Sequence, residues 1–250
     1  MSLSSIPHAR MKYIEKEGII MAKVTTLTPE EISELEKAPS EVAREKIAAT
    51  GSKEALEAFD QYVGMFNGVH DGYLLQANTA ESALYKEVGA DKYLEYMHDY
   101  FYNATGPYMQ GFWDKPFKER VMIAINAPRM FHDCRMKILG EDEEKLWFVM
   151  EPCGAGQKLW EMGMCKPGCG LCDEPHAITA GGKDFPVYCT HAPIAEIVCG
   201  ELGIPYMYQQ AYPEQVGPCS CVFYVYKDPK GIPDSYFERV GAKRPEICKK

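Results

Sequence analysis

No cysteine occurs before residue 134, and no stretch approaches the roughly 18 uninterrupted apolar residues that a membrane helix needs. Positive charge is also short, with 27 Lys and Arg against 36 Asp and Glu and a net charge of -9. The first shortage confines any thiol chemistry to the second half of the chain. The second argues against a membrane span. The third removes the phosphate-neutralising excess that nonspecific nucleic-acid binding requires. The first twenty residues carry Arg10, Lys12, Glu15, Lys16 and Glu17 and lack an apolar stretch of about 7–15 residues, so no secretory signal is read there and a cytoplasmic protein is expected. Internal repeats and blocks of like charge are also missing, and nothing in the sequence points to a charged partner.

What is there is cysteine. Ten occur in 250 residues, and all but Cys248 lie between Cys134 and Cys221. Without an export signal such a density reads as metal binding or redox chemistry rather than as a disulfide framework. Together with 13 Met it is an oxidation burden that points toward an anaerobic host.

The hydrophobic periodicity predicts helices first and strands second, an α+β protein whose helical N-terminal half packs on a C-terminal antiparallel sheet carrying a Cys-rich loop. Residues 1–27 read as a loose arm, 28–128 as helical and 129–250 as the Cys-rich α+β region, with one core continuous across the boundary. Thr28-Pro29-Glu30-Glu31 is a capping box with Pro at the first helical position. A long helix from Ser52 to about Ala77 carries the stripe Leu56, Phe59, Val63, Phe66 and Leu74, and His70 falls on that stripe and points inward. Gly64, Gly68 and Gly72 form a second stripe where another backbone is expected to approach. Further helices fit Thr79–Val88, stopped by Gly89, then Ala90–Tyr102 and Pro116–Ala127. Met130, His132, Cys134, Met136 and Ile138 alternate as a strand does, and Leu146–Met150 follows as a second strand. Val187–Cys189, Tyr206–Tyr212 and Cys219–Tyr226 read as strands, Ala192–Leu202 and Ser235–Val240 as helices.

Several constellations carry possible chemistry. Cys165-Lys-Pro-Gly-Cys169-Gly-Leu-Cys172 is a C-x3-C-x2-C loop whose thiolates can wrap a zinc ion or three corners of an iron–sulfur cluster, which spacing alone does not distinguish; Cys153, His176 or Cys189 is the candidate fourth ligand. Radical-SAM enzymes share that spacing, but too little chain follows it here for their barrel. Glu151-Pro-Cys153-Gly-Ala-Gly156 places a Cys at a strand end in a turn whose glycines allow close approach. Tyr188-Cys189-Thr-His191 precedes a helix, so the helix dipole would favour a Cys189 thiolate, with His191 as its base or a co-ligand and Glu196 as an acid/base group further along. Cys219 and Cys221 share one strand face, which either looks into the site or joins the core with Phe223 and Val225, core being the preferred reading. His70 is a candidate site residue. Asp71, about 100° round the helix, is not expected to orient its ring.

The run Cys189-Thr-His191-Ala-Pro-Ile-Ala-Glu196, then Glu201-Leu-Gly203-Ile-Pro205, then Gly217-Pro-Cys219-Ser-Cys221-Val-Phe223-Tyr224 resembles the L-2-amino-thiazoline-4-carboxylate hydrolase-like proteins. The resemblance covers about a third of the chain, and the C-x3-C-x2-C loop is not part of it. It implies opening of a small cyclic amidine by hydrolysis of a C–N bond, with Cys189 and Cys219 in the positions of the family's cysteines. The expectation is therefore a metal- or thiolate-dependent hydrolase of a small molecule, compatible with a homo-oligomer. An iron–sulfur redox protein built on the loop is the alternative. So is a small-molecule sensor similar to vinyl-reductase-type domains.

Overall fold

The computed structural model describes residues 23–166, 169–212 and 221–249. The order of elements is the expected one, helices then sheet. Helix α1 is Pro29–Leu35 and α2 is Pro39–Ala48; α3 is Lys53–Met109 and α4 is Phe117–His132. After them come β1 (Met136–Glu141), β2 (Lys145–Met150), the short helix α5 (Gly156–Glu161), β3 (Leu171–Cys172) and β4 (Phe185–Pro186). Helix α6 (His191–Glu201), β5 (Gln209–Ala211), β6 (Val222–Tyr226) and α7 (Asp234–Glu238) close the fold. The main sheet is antiparallel, in the order β1-β2-β6-β5, and β3 pairs β4 separately.

The capping box forms as read: Glu31 N–H donates to Thr28 Oγ1 at 3.2 Å, and Thr28 N–H donates to the Glu31 carboxylate at 2.8 Å. Gly89 ends a helix as expected, because its φ of 75° and ψ of 172° lie where only glycine is comfortable. The break expected near Ala77 is not made: α3 runs from Lys53 to a kink at Gly89, beyond which its second segment continues to Met109.

The sheet is covered on both faces, which explains why β2 and β6 are buried at almost every position. Leu146, Phe148 and Met150 on β2, with Phe223 and Val225 on β6, join Val121, Ala124 and Ile125 of α4. The alternate set, Trp147, Val149, Val222, Tyr224 and Tyr226, packs instead on Ile232, Phe237 and Cys248. Cross-strand partners Phe148 and Phe223 stack at 5.1 Å between centroids. Each such burial is worth about 1.5–3 kcal/mol. The first cluster also contains Met109 and Phe112, so one core spans residue 128. A second cluster joins Tyr93 and Phe101 of α3 to Ile194 and Val198 of α6.

Four local expectations change. Residues 130–132 are the last turn of α4, not the start of a strand, because Asp133 adopts a left-handed conformation (φ 44°) and stops the helix there. Ser40 N–H donates to Asp133 at 2.8 Å and ties that stop to α2, which the sequence reading missed along with α5. Val187–Thr190 is a 3-10 turn rather than a strand. Gly64, Gly68 and Gly72 meet no other backbone, since a Cβ at any of them would find nothing within 4 Å. Of the expected arm, residues 1–22 lie outside the described residues. Its inner end is not loose: Thr25 and Thr26 both donate to the buried Glu141 carboxylate, and Leu27 is buried. No helix among the described residues is long and apolar enough to cross a membrane.

Candidate active site

The turn after β2 is the pivot of the site. Cys153-Gly154-Ala155-Gly156 leads from that strand into α5, and both glycines are there for space. A Cβ at Gly154 would come within 2.5 Å of His132 Cβ, and one at Gly156 within 2.4 Å of Cys189 Sγ. The turn is thus wedged between the end of α4 and the 3-10 turn ahead of α6. A cavity of about 210 Å³ opens beside it, lined by Cys153, Cys189 and Cys221, by His132 and His191, and by Tyr188, Tyr206, Tyr208, Tyr212 and Gln210. Among the described residues its wall includes no Asp, Glu, Lys or Arg.

The three thiols differ in their surroundings. Burial raises Cys153 above an ordinary thiol, and the backbone amides of Gln157, Ala155 and Gly156 offset only part of that rise. Burial lifts Cys189 well above an ordinary thiol, and the neighbouring Cys153 and Cys221 add to it. The dipole activation expected at Cys189 is therefore outweighed by desolvation. Cys221 is pushed up to about 12 by burial and by Cys153, against a hydrogen bond with Gln210. Cys221 also sits on the cavity wall rather than only in the core. Cys219, its expected companion, lies outside the described residues.

His132 is the residue that the sequence reading missed. Its Nδ1 lies 2.9 Å from His70 Nε2, and His70 Nδ1 lies 3.1 Å from Asp71 Oδ1. Asp71 in turn pairs with Lys158 of α5. Asp71 does orient the His70 ring, contrary to the helical-wheel expectation, because His70 Nδ1 bends back toward its own neighbour. His70 Nε2 engages His132 Nδ1, and with His132 Nδ1–H as the donor of that bond the remaining nitrogen of His132 carries a lone pair. Burial, with help from His70, Lys158 and His191, lowers His132 to about 4, so it is neutral at physiological pH. The signal in the sequence was Phe131-His132-Asp133, a helix end in which Asp takes the left-handed stop.

The other candidates fall in different places. His191 opens α6 and lines the cavity, with Nε2 held 3.0 Å from both Glu81 oxygens. Glu196 lies behind the wall, gripped by Arg239 at 2.7 and 2.8 Å; burial raises its carboxyl to about 7 despite that guanidinium. It is committed to an ion pair and does not line the cavity. His176 hydrogen-bonds Asp91 at 2.9 Å, outside the cavity.

The C-x3-C-x2-C loop is not gathered either. Cys165 is packed with Leu74, Leu159 and Leu171, Cys172 belongs to the cluster around Tyr93 and Phe185, and Cys169 is exposed. Among the described residues no three His, Cys, Asp or Glu side chains come together as a metal donor set. In these three separate surroundings Cys165, Cys169 and Cys172 are not placed to share a zinc ion or an iron–sulfur cluster.

The arrangement defines a class, an α+β protein with a partly open cavity whose described lining brings together thiols and a neutral imidazole without Asp, Glu, Lys or Arg. Compared with protein-family models, curated proteins and solved structures, the chain matches none.

Proposed function

We propose that this protein is a thiol-dependent enzyme that hydrolyses a non-peptide C–N bond, of amide or cyclic amidine type, in a small molecule. One observation carries the reading: Cys153, on the turn that leads into α5, shares a cavity with the neutral, half-buried His132. A nucleophile and a base lining one pocket are what nucleophilic catalysis requires. The resemblance of residues 189–224 to a family of C–N hydrolases supports the choice of bond.

In the reaction, His132 takes the Cys153 thiol proton as the sulfur adds to the substrate carbon. The proton passes to the substrate nitrogen and the C–N bond breaks, releasing the amine or opening the ring. Water then attacks the carbon–sulfur intermediate, and the thiol is restored. Water is consumed and no oxidant or reductant is needed. The Asp71–His70 pair holds His132 in the tautomer that leaves a lone pair for the base.

The test uses the reduced full chain. It is treated with limiting iodoacetamide, the modified cysteine is mapped, ammonia release is followed from simple amides, and ring opening of L-2-amino-thiazoline-4-carboxylate is followed by its disappearance on chromatography. Cys153 is expected to be alkylated first, and turnover should fall with its loss. Preferential alkylation of Cys189 or Cys221 with Cys153 inert, or full turnover by Cys153→Ala, overturns the assignment.

A further inference from the structure

At 210 Å³ the cavity is smaller than the roughly 300–1,000 Å³ of ordinary small-molecule sites, so it holds only the reacting end of a substrate. A second space adjoins it. An open groove of about 720 Å³ runs between the 100–108 segment of α3 and helix α4. Phe101, Pro128, His132, Tyr206 and Tyr208 line both spaces, so the two adjoin along a shared wall that includes His132. The groove is walled by aliphatic and aromatic groups, including the exposed Tyr100, Tyr108, Met130 and Phe131. Exposed apolar walls of this kind lose favourable free energy until something apolar covers them. Glu119 is the only Asp, Glu, Lys or Arg among the described residues that line it.

Resting on the hydrolase reading above, we propose that the substrate is a neutral amide with a long aliphatic tail, its amide head in the cavity and its tail in the groove. Three features select that class. The two spaces adjoin at the side chain assigned as base. The walls of the groove offer apolar surface to a tail several methylenes long. Neither space offers an Arg or Lys among its described residues, so a carboxylate-bearing substrate would enter without a counter-charge, at a desolvation cost that a neutral amide avoids. The tail places this class apart from a compact, carboxylate-bearing thiazoline.

The full chain is titrated calorimetrically with primary amides from butanamide to decanamide, and ammonia release is followed for the same series. Affinity is expected to rise about fourfold per methylene, the equivalent of about 0.8 kcal/mol for each buried CH2. Decanoate, with the same tail and a carboxylate head, should bind at least tenfold more weakly than decanamide. Ala104→Trp, at an exposed position lining the groove, should flatten the series. Thr105→Trp serves as a second blocking variant if the first does not fold. An affinity independent of chain length, decanoate binding as tightly as decanamide, or an unaltered series in folded blocking variants would each sink the proposal. If affinity rises with length but no amide is hydrolysed, the tail site stands and the hydrolase reading fails. Hydrolysis of short amides with a flat binding series is the reverse case.

Discussion

Two cysteine sets lie within about seventy residues of each other and end in opposite situations. Cys165, Cys169 and Cys172 are close in sequence, yet two are packed into separate apolar clusters and the third faces solvent. Cys153, Cys189 and Cys221 are distant in sequence, yet they line one cavity with two histidines. The difference is where the chain puts them. The second set is brought in by the turn after β2, the 3-10 turn ahead of α6 and the residue before β6, which converge on one place. In the first set Cys172 closes β3 while Cys165 and Cys169 lie in the stretch before it, and the three side chains leave in different directions. Proximity in sequence is a weak guide to a site.

The largest effect should separate the two sets directly. Cys153→Ser is expected to lower turnover by about 10³-fold or more, as loss of a nucleophile does, whereas Cys169→Ser leaves the rate within about twofold. Equal losses in steady-state assays of the two would erase the distinction. Behind the cavity, Glu196→Ala strands the Arg239 charge and should cost about 3–5 kcal/mol in denaturant unfolding. Unchanged stability with a lost rate would return Glu196 to the catalytic set.

A pH effect follows from His132. Its folded pKa is depressed to about 4 from an unfolded value near 6.5, so its contribution to stability is complete above about pH 6.5. It is lost as pH falls toward about 4, because the unfolded chain takes a proton that the folded one refuses. The loss is on the order of 3 kcal/mol, and His132→Asn should remove that part of the slope in unfolding curves measured across the window. A slope identical in both proteins would mean that His132 is not buried as described. The smallest effects contrast two kinds of glycine. Gly156→Ala drives a methyl into Cys189 Sγ and should cost about 1–3 kcal/mol, while Gly64→Ala, in an open helical position, should gain up to about 1 kcal/mol. Melting temperatures of the two variants moving in the same direction would contradict that reading.

Much of the architecture was legible in the residues. The Thr28–Glu31 cap, the stop at Gly89, the inward stripe on α3 and the β2 and β6 strands all depend on local chemistry: a side-chain acceptor, a left-handed glycine, apolar residues repeating with the period of the element. The Cys153 turn with its two glycines was legible for the same reason. His132 was not, because alternation over 130–138 looks like a strand until Asp133 turns the chain. Nor was the contact of Asp71 with its neighbour His70, which depends on a rotamer rather than on position round a helix.

By itself, then, the sequence determined the class of fold, the succession of helices and strands, and the presence of a thiol-rich second half, since these rest on interactions among residues a few positions apart. Only the tertiary structure decided which thiols meet. That outcome depends on how the ends of β2, α4 and α6 pack around one turn, a matter of volumes and close approaches between residues as far apart as 70 and 221. Those packing constraints separate the cavity cysteines from the loop cysteines, although the chain supplies both from the same stretch.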